Sequence, residues 1–312
     1  MKPPVLLYAC PTVDQEAWVK ALSAAWPGID IRLWPQTGDK DEIDYAFVWK
    51  QPAGILSDLP NLKVIFSLGA GVEHVLTDMT LPAAIPLVRM VDPTLVTGMV
   101  EFVVMQVLHY HRSMPAYAAQ QRTGIWKQLP QLLPSERRVG ILGLGELGAA
   151  CARVLAGFGF DVAGWSRSAK DLPGVRGYVG PGQLDGFLAQ TDILVCLLPL
   201  TAQTRGILNR RTLSMLPRGS YLINAARGGH LVEDDLIPLL DEGHLSAATL
   251  DVFAVEPLPT AHPFWTHPKI TLVPHAAALT HPGTASRIVA ANIDRHRRGE
   301  ALHNLVDRAR GY

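Results

Sequence analysis

The sequence predicts an α/β protein of two units, each built on a parallel, doubly wound sheet. Three observations lead there. Short apolar runs alternate with helix-like stretches along the chain, a strand–glycine turn–helix lies near the middle, and a helical pattern follows the last apolar run. Strands separated by helices imply parallel pairing. At 312 residues the chain is long enough for two cores.

The first strand is 5–9, and Asp14 can cap a helix reaching about residue 26, with Ala17, Ala21, Leu22 and Ala25 at helical spacing. Further strands are expected at 29–34, 45–49, 64–68 and 87–91. A longer apolar helix runs from about residue 97 past 110, and a Gln- and Pro-rich stretch, 120–134, reads as the connection onto a second unit. That unit opens on a strand at 138–142 and continues with strands at 161–165, 193–198, 221–225, 248–253 and 270–273. A last helix covers about 282–298. This is the rhythm of a doubly wound sheet. No internal repeat or low-complexity tract interrupts it.

Composition narrows the function classes. The formal net charge is zero and 48% of residues are apolar, which argues against a nucleic-acid partner, since that needs a basic surface. Cys10, Cys151 and Cys196 are sparse, odd in number and set among apolar residues. They read as buried small hydrophobes in a reducing compartment rather than a disulfide or metal framework. Met1-Lys2-Pro3-Pro4 leads into an apolar run too short for a signal sequence, and no run approaches a membrane span. A cytoplasmic protein without a metal site is expected.

The string Gly143-Leu144-Gly145-Glu146-Leu147-Gly148 directly follows an apolar strand and opens a helix whose apolar face carries Leu147, Ala150, Cys151, Val154 and Leu155. Alone, such a string also fits an ordinary bend. In this context Gly143 permits the tight turn, Gly145 lets backbone approach a pyrophosphate, and Gly148 allows close helix–strand packing. The helix N-terminus adds free N–H groups and a positive dipole end. A dinucleotide is the expected ligand. Where a fold of this kind prefers NAD, a carboxylate follows the second strand and bonds the ribose 2′-hydroxyl. Here that position reads Trp165-Ser166-Arg167-Ser168, then Lys170, with no carboxylate before Asp171. Arg167 suits a 2′-phosphate, with Ser166 or Ser168 adding hydrogen bonds. A solvated basic loop is the plainer reading, but its placement favours NADPH over NADH.

Three later segments place polar side chains at or just past strand ends, where ligands bind in such sheets. Asn224-Ala225-Ala226-Arg227-Gly228-Gly229 offers small residues beside a planar guanidinium fork suited to a carboxylate. Asp251 sits inside an apolar β-type run, an expensive place for an unpaired carboxylate, and Glu256 follows with Pro257 behind it. His275 ends a strand among alanines. A lone His of this kind is more often structural, but a carboxylate and an Arg at neighbouring strand ends change that weighting.

At these residues the chain resembles the D-isomer-specific 2-hydroxyacid dehydrogenase family. The glycine turn, 224–228, 250–257 and Pro274-His275 carry the likeness, which spans essentially the whole chain. Within the family, Val48-Trp49-Lys50 and 165–168 look like the bacterial glyoxylate/hydroxypyruvate reductase A group. Ala276-Ala277 stands where the family often has Ile-Gly or Ile-Ala, a conservative departure. No role is assigned to Val91-Asp92-Pro93-Thr94, which matches less well.

The resemblance implies a catalytic set of Arg227, Glu256 and His275. His275 would be the general acid, Glu256 would hydrogen-bond it and favour its charged form, and Arg227 would bind the substrate carboxylate and polarise its carbonyl. Asp251 would hold the nicotinamide carboxamide. Leu198, Pro199, Ala225, Ala226 and Ala277 would line the cofactor with Gly143, Gly145, Glu146, Leu147, Gly148, Ser166, Arg167, Ser168, Lys170, Arg227 and His275. Ala70 and Gly71, in the loop Leu68-Gly69-Ala70-Gly71-Val72, would present N–H groups to the carboxylate, and Trp49 would close a small pocket. Two Rossmann-like or flavodoxin-like domains are implied: a substrate domain of 1–101 and 280–312, with the NAD(P)-binding domain 102–279 inserted into it. The active site would lie in the cleft between them.

The implied reaction is NADPH-dependent reduction of a small 2-oxo acid, glyoxylate or hydroxypyruvate first, by a homodimer meeting near residues 97–112. Glu256 argues against formate oxidation, since formate dehydrogenases of the superfamily pair the His with Gln. The short tail after the last helix argues against 3-phosphoglycerate dehydrogenases with a regulatory domain. An NAD(P)H-sensing binding protein of the same fold is the alternative, because such corepressors keep the triad.

Overall fold

The structure is a computed structural model that describes residues 3–311. The stretch Met1-Lys2, part of the reading against a signal sequence, lies outside the described residues. The chain divides into two compact units, one formed by residues up to Leu95 and from Leu279 onward, the other by Val96–Ala278.

The first unit holds five strands, β1 (Val5–Ala9), β2 (Asp30–Leu33), β3 (Tyr45–Val48), β4 (Val64–Ser67) and β5 (Leu87–Val88). All pair in parallel, in the order β2-β1-β3-β4-β5. This is the flavodoxin-like order. β1, β3 and β4 are buried along their whole length, as expected of central strands covered on both faces. Helix Gln15–Ala25 starts at Asp14, whose side chain accepts from the Glu16 and Ala17 N–H groups. It contributes Trp18 and Leu22 to the same core as Ala285, Val289 and Ile293 of helix Pro282–Arg297. The last helix therefore completes the first unit.

The second unit holds β6 (Arg138–Leu142), β7 (Asp161–Ser166), β8 (Val175–Val179), β9 (Ile193–Cys196), β10 (Ser220–Asn224), β11 (Leu245–Leu250) and β12 (Ile270–Leu272). Their order is β12-β11-β10-β9-β6-β7-β8, again all parallel. The strand order reverses between β6 and β9, the switch point at which dinucleotides bind in Rossmann sheets. Both halves are thus parallel α/β sheets, as the alternating pattern predicts.

Three local readings are corrected. β8 is absent from the expected strands, because this sheet-edge strand is mostly exposed and carries Arg176 and Gly177 in place of an apolar face. The stretch 120–134 is not the entry to the second unit: the chain enters at Val96, inside helix Pro93–His111. Its first residues instead belong to helix Met114–Thr123, stopped by left-handed Gly124. Finally, β11 ends at Leu250, so Asp251 stands one residue beyond the strand rather than inside it.

Candidate active site

In-register pairing draws one line across the second sheet. Trp165 pairs with Leu142, Leu142 with Cys196, Cys196 with Asn224, Asn224 with Leu250, and Leu250 with Leu272. All strands are parallel, so the residues just past this line share one edge. They are Ser166 and Arg167, the glycine turn, Leu198-Pro199, Ala225 to Arg227, Asp251 and His275. From β7 to β12 there are five spacings, about 24 Å at roughly 4.8 Å each, room for an extended dinucleotide.

The glycine turn is built by close approach. Gly143 has φ of 101°, and a Cβ there would lie 2.8 Å from the Leu197 carbonyl oxygen. A Cβ on Gly148 would stand 1.8 Å from the Gly143 oxygen, whereas one on Gly145 would meet nothing within 4 Å. The turn is therefore closed where it packs and open where a ligand would lie. Helix Glu146–Gly157 starts at Gly145 with no side-chain cap, which leaves its first N–H groups for an anion. These features fit a pyrophosphate. After β7, Arg167, Ser168 and Lys170 are exposed. Ser166 is buried, and its hydroxyl donates to the Ser168 carbonyl at 2.7 Å. In this conformation Ser166 shapes the loop, and Arg167, Ser168 and Lys170 present the outward donors.

The other end of the edge carries a histidine–carboxylate pair. His275 Nδ1 and Glu256 Oε2 are 2.9 Å apart, with both side chains partly buried. Glu256 Oε1 accepts from the Phe253 N–H at 3.2 Å, which fixes the carboxylate. Among the described residues His275 Nε2 makes no hydrogen bond, so the nitrogen opposite Glu256 is open to a substrate oxygen. His275 has φ of 52°, a left-handed conformation that costs a non-glycine residue about 1–2 kcal/mol. Its N–H donates to the Asp251 and Val273 carbonyls at 2.9 and 3.0 Å, which holds it there.

Asp251 is only 2% exposed. Its Oδ1 accepts from the Ala276 and Ala277 N–H groups at 2.7 and 2.9 Å, while Oδ2 has no partner among the described residues. Burial pushes the carboxyl up to about 6, against the pull of the two N–H donors and of His275.

Arg227 follows β10 in a tightly held loop. Asn224 Oδ1 accepts from the Ala226 N–H at 3.3 Å, and Asn224 Nδ2 donates to the Arg227 carbonyl at 3.3 Å. A Cβ on Gly228 would stand 1.9 Å from the Phe253 carbonyl carbon. Only glycine lets the arginine loop lie against the segment holding Asp251 and Glu256. The sequence reading missed His230, which is fully buried and bonded to both the Arg227 backbone and the Pro199 carbonyl. Its one sequence signal is its place, three residues past a strand-end Arg.

In the first unit, β4 leads into the loop at Ala70 and Gly71. Ser67 Oγ takes the Gly69 N–H at 3.3 Å. The Ala70 and Gly71 N–H groups have no acceptor among the described residues. Trp49, just past β3, covers the loop: a Cβ on Gly69 would come within 2.4 Å of its indole. The same ring packs against His74 with centroids 4.5 Å apart.

The three thiols are buried, and burial raises their pKa values, to about 12 for Cys151 and Cys196 and higher for Cys10. Among the described residues no group of three His, Cys, Asp or Glu side chains could hold a metal ion, and no helix is long and apolar enough to cross a membrane.

Residues 104–277 match the family model of the D-isomer specific 2-hydroxyacid dehydrogenase NAD-binding domain. Glyoxylate/hydroxypyruvate reductase A of Salmonella paratyphi B is 44% identical over 312 residues, covering 98% of this chain and 99% of that protein. Among solved structures, a D-isomer specific 2-hydroxyacid dehydrogenase of Xanthobacter autotrophicus in complex with NADPH and MES superposes with a TM-score of 0.95 at 43% identity, covering 99% of this chain and all of that one. An NADPH-dependent glyoxylate/hydroxypyruvate reductase of Sinorhizobium meliloti, in complex with NADP and sulfate, gives 0.94 at 42% identity with the same coverage. This chain belongs to the D-isomer-specific 2-hydroxyacid dehydrogenase family.

Proposed function

We propose that this protein is an NADPH-dependent reductase of small 2-oxo acids, converting glyoxylate to glycolate and hydroxypyruvate to D-glycerate. The observation that carries this reading is the His275–Glu256 pair, 2.9 Å apart, on the sheet edge that also bears Arg227 and the glycine turn. The full-length relatives whose names state the activity and cofactor support it.

When bound, the reduced nicotinamide supplies a hydride to C2 of the oxo acid. Negative charge then develops on the carbonyl oxygen. Arg227 binds the carboxylate and stabilises that charge, and protonated His275 transfers its Nε2 proton to the oxygen, giving the 2-hydroxy acid. Glu256 holds the ring through Nδ1 and offsets its positive charge. Asp251 would hold the nicotinamide carboxamide, and Arg167 would pair with the 2′-phosphate. In the first unit, Ala70 and Gly71 would offer N–H groups to a carboxylate, and Trp49 would limit substrate size.

The test follows NADPH absorbance with glyoxylate, hydroxypyruvate and larger 2-oxo acids, each repeated with NADH. Turnover of the two small acids with NADPH is expected. NADPH binding with no turnover across the panel would favour a sensor instead. The three buried thiols suit a cytoplasmic setting. Trp126 is fully exposed, and Met105, Met114, Ile125 and Leu133 are also exposed. These exposed apolar side chains support a homodimer, which light scattering would read as twice the 33.9 kDa chain mass.

A further inference from the structure

His230 closes the turn Gly228–His230, immediately after Arg227, and is fully buried. Its Nε2 lies 3.2 Å from the Pro199 carbonyl oxygen. Nδ1 lies 3.2 Å from the Arg227 nitrogen and 3.0 Å from the Arg227 carbonyl oxygen. The ring is itself held: the His230 carbonyl accepts from the Leu208 N–H at 2.9 Å, and the Gly229 carbonyl from the Gly206 N–H at 2.9 Å.

The two loops that it bridges sit on adjacent strands. Pro199 follows β9, and the residues before it press on the glycine turn, where a Gly143 Cβ would be 2.8 Å from the Leu197 oxygen. Thr204 Oγ1 also donates to the Pro199 carbonyl, at 2.7 Å. Arg227 follows β10. One imidazole thus spans the loop that abuts the phosphate turn and the loop that carries the arginine. A buried imidazole needs partners for both nitrogens, and here the partners are the backbones of these two loops.

We propose that His230 is a positioning residue that sets Arg227 against the Pro199 loop, so that the substrate carboxylate and the cofactor are held in register. This rests on the functional reading above, in which Arg227 binds the substrate carboxylate, and on the family resemblance, by which Pro199 would line the cofactor. Two substitutions separate the halves of the bridge. His230→Asn retains a polar atom near Nδ1 and loses the reach to Pro199. His230→Gln retains one near Nε2 and loses the Arg227 contact. The full chain is titrated by calorimetry with NADP+ and, in its presence, with oxalate as a non-reducible carboxylate probe, and Tm is measured for each variant.

The expected pattern is crossed. His230→Asn weakens NADP+ by about fivefold and leaves oxalate within about twofold, while His230→Gln does the reverse, the loss being that of one buried hydrogen bond. Any uncrossed pattern, including equal losses that track a fall in Tm or no change in either ligand, overturns the proposal. Glyoxylate turnover by the parent protein is measured in parallel. Its absence would defeat the functional reading, while the binding pattern still decides the role of His230.

Discussion

Asp251→Asn should make the protein more stable above neutral pH while weakening its grip on nucleotide. The carboxyl is 2% exposed, and burial carries it from an ordinary 3.8 to about 6. A raised pKa means that the folded state binds the proton more tightly than the unfolded chain does. The stabilisation from this proton is complete below the unfolded value and is lost as pH rises through about 4 to 6. From 3.8 to about 6 the loss is about 3 kcal/mol. Asparagine cannot ionise, yet its Oδ1 can still accept from Ala276 and Ala277, now at 2.7 and 2.9 Å. The two proteins should therefore melt at similar temperatures near pH 4. At pH 8 the variant should melt higher by about 6–12 °C, at roughly 2–4 °C per kcal/mol. The amide replaces the Oδ2 acceptor with a donor, so NADP+ affinity should fall by about tenfold. Thermal unfolding across this pH range and calorimetric titration read the two effects. A melting difference that stays constant from pH 4 to 8 would refute the burial account of Asp251.

Other perturbations probe different parts of the edge. Arg167→Asp places a carboxylate where a 2′-phosphate would sit, so kcat/KM with NADPH should fall by about 100-fold or more while NADH is spared; a retained NADPH preference would count against the assignment. His275→Gln should lower kcat by about 100- to 10,000-fold with nucleotide affinity unchanged, and near-normal turnover would rule out the acid role. Gly228→Ala drives a methyl group to 1.9 Å from the Phe253 backbone, where no flexible side chain can yield. It should cost about 3 kcal/mol or more in stability, and a variant with the parent Tm would show that the two loops are free to part.

Some features were legible because their physics is local. Central strands such as β3 and β9 are buried along their length, so each is a continuous apolar run that opens directly after an aspartate, Asp44 or Asp192. The Asp14 cap and the glycine turn are each contained within a few residues. β8 was invisible because an edge strand owes its pairing to a neighbour and keeps no apolar face. Asp251 was read inside its strand because Val252 and Phe253, both buried, extend the apolar run past the last ladder pair at Leu250. Burial marks the core, whereas the end of a strand is marked by where pairing stops.

The site was legible in its residue types but not in its bracing. Arg227, Asp251, Glu256 and His275 could be singled out because each is a costly polar group beside an apolar strand. What makes them one assembly is non-local. Asn224 gives its carbonyl to the Asp251 N–H at 3.0 Å, Asp251 gives its own to the His275 N–H at 2.9 Å, and Gly228 lies flush against Phe253. Each bond joins loops from adjacent strands, more than twenty residues apart for the two carbonyl contacts. The strand order decides those neighbours, and the strand order is written nowhere in a local pattern. His230 illustrates the consequence. In sequence it is one histidine in a turn, but with β9 and β10 side by side its two nitrogens meet two different loops. The bracing of Arg227 is therefore set by the sheet topology, which makes the position after Gly229 as open to functional test as Arg227, Glu256 and His275.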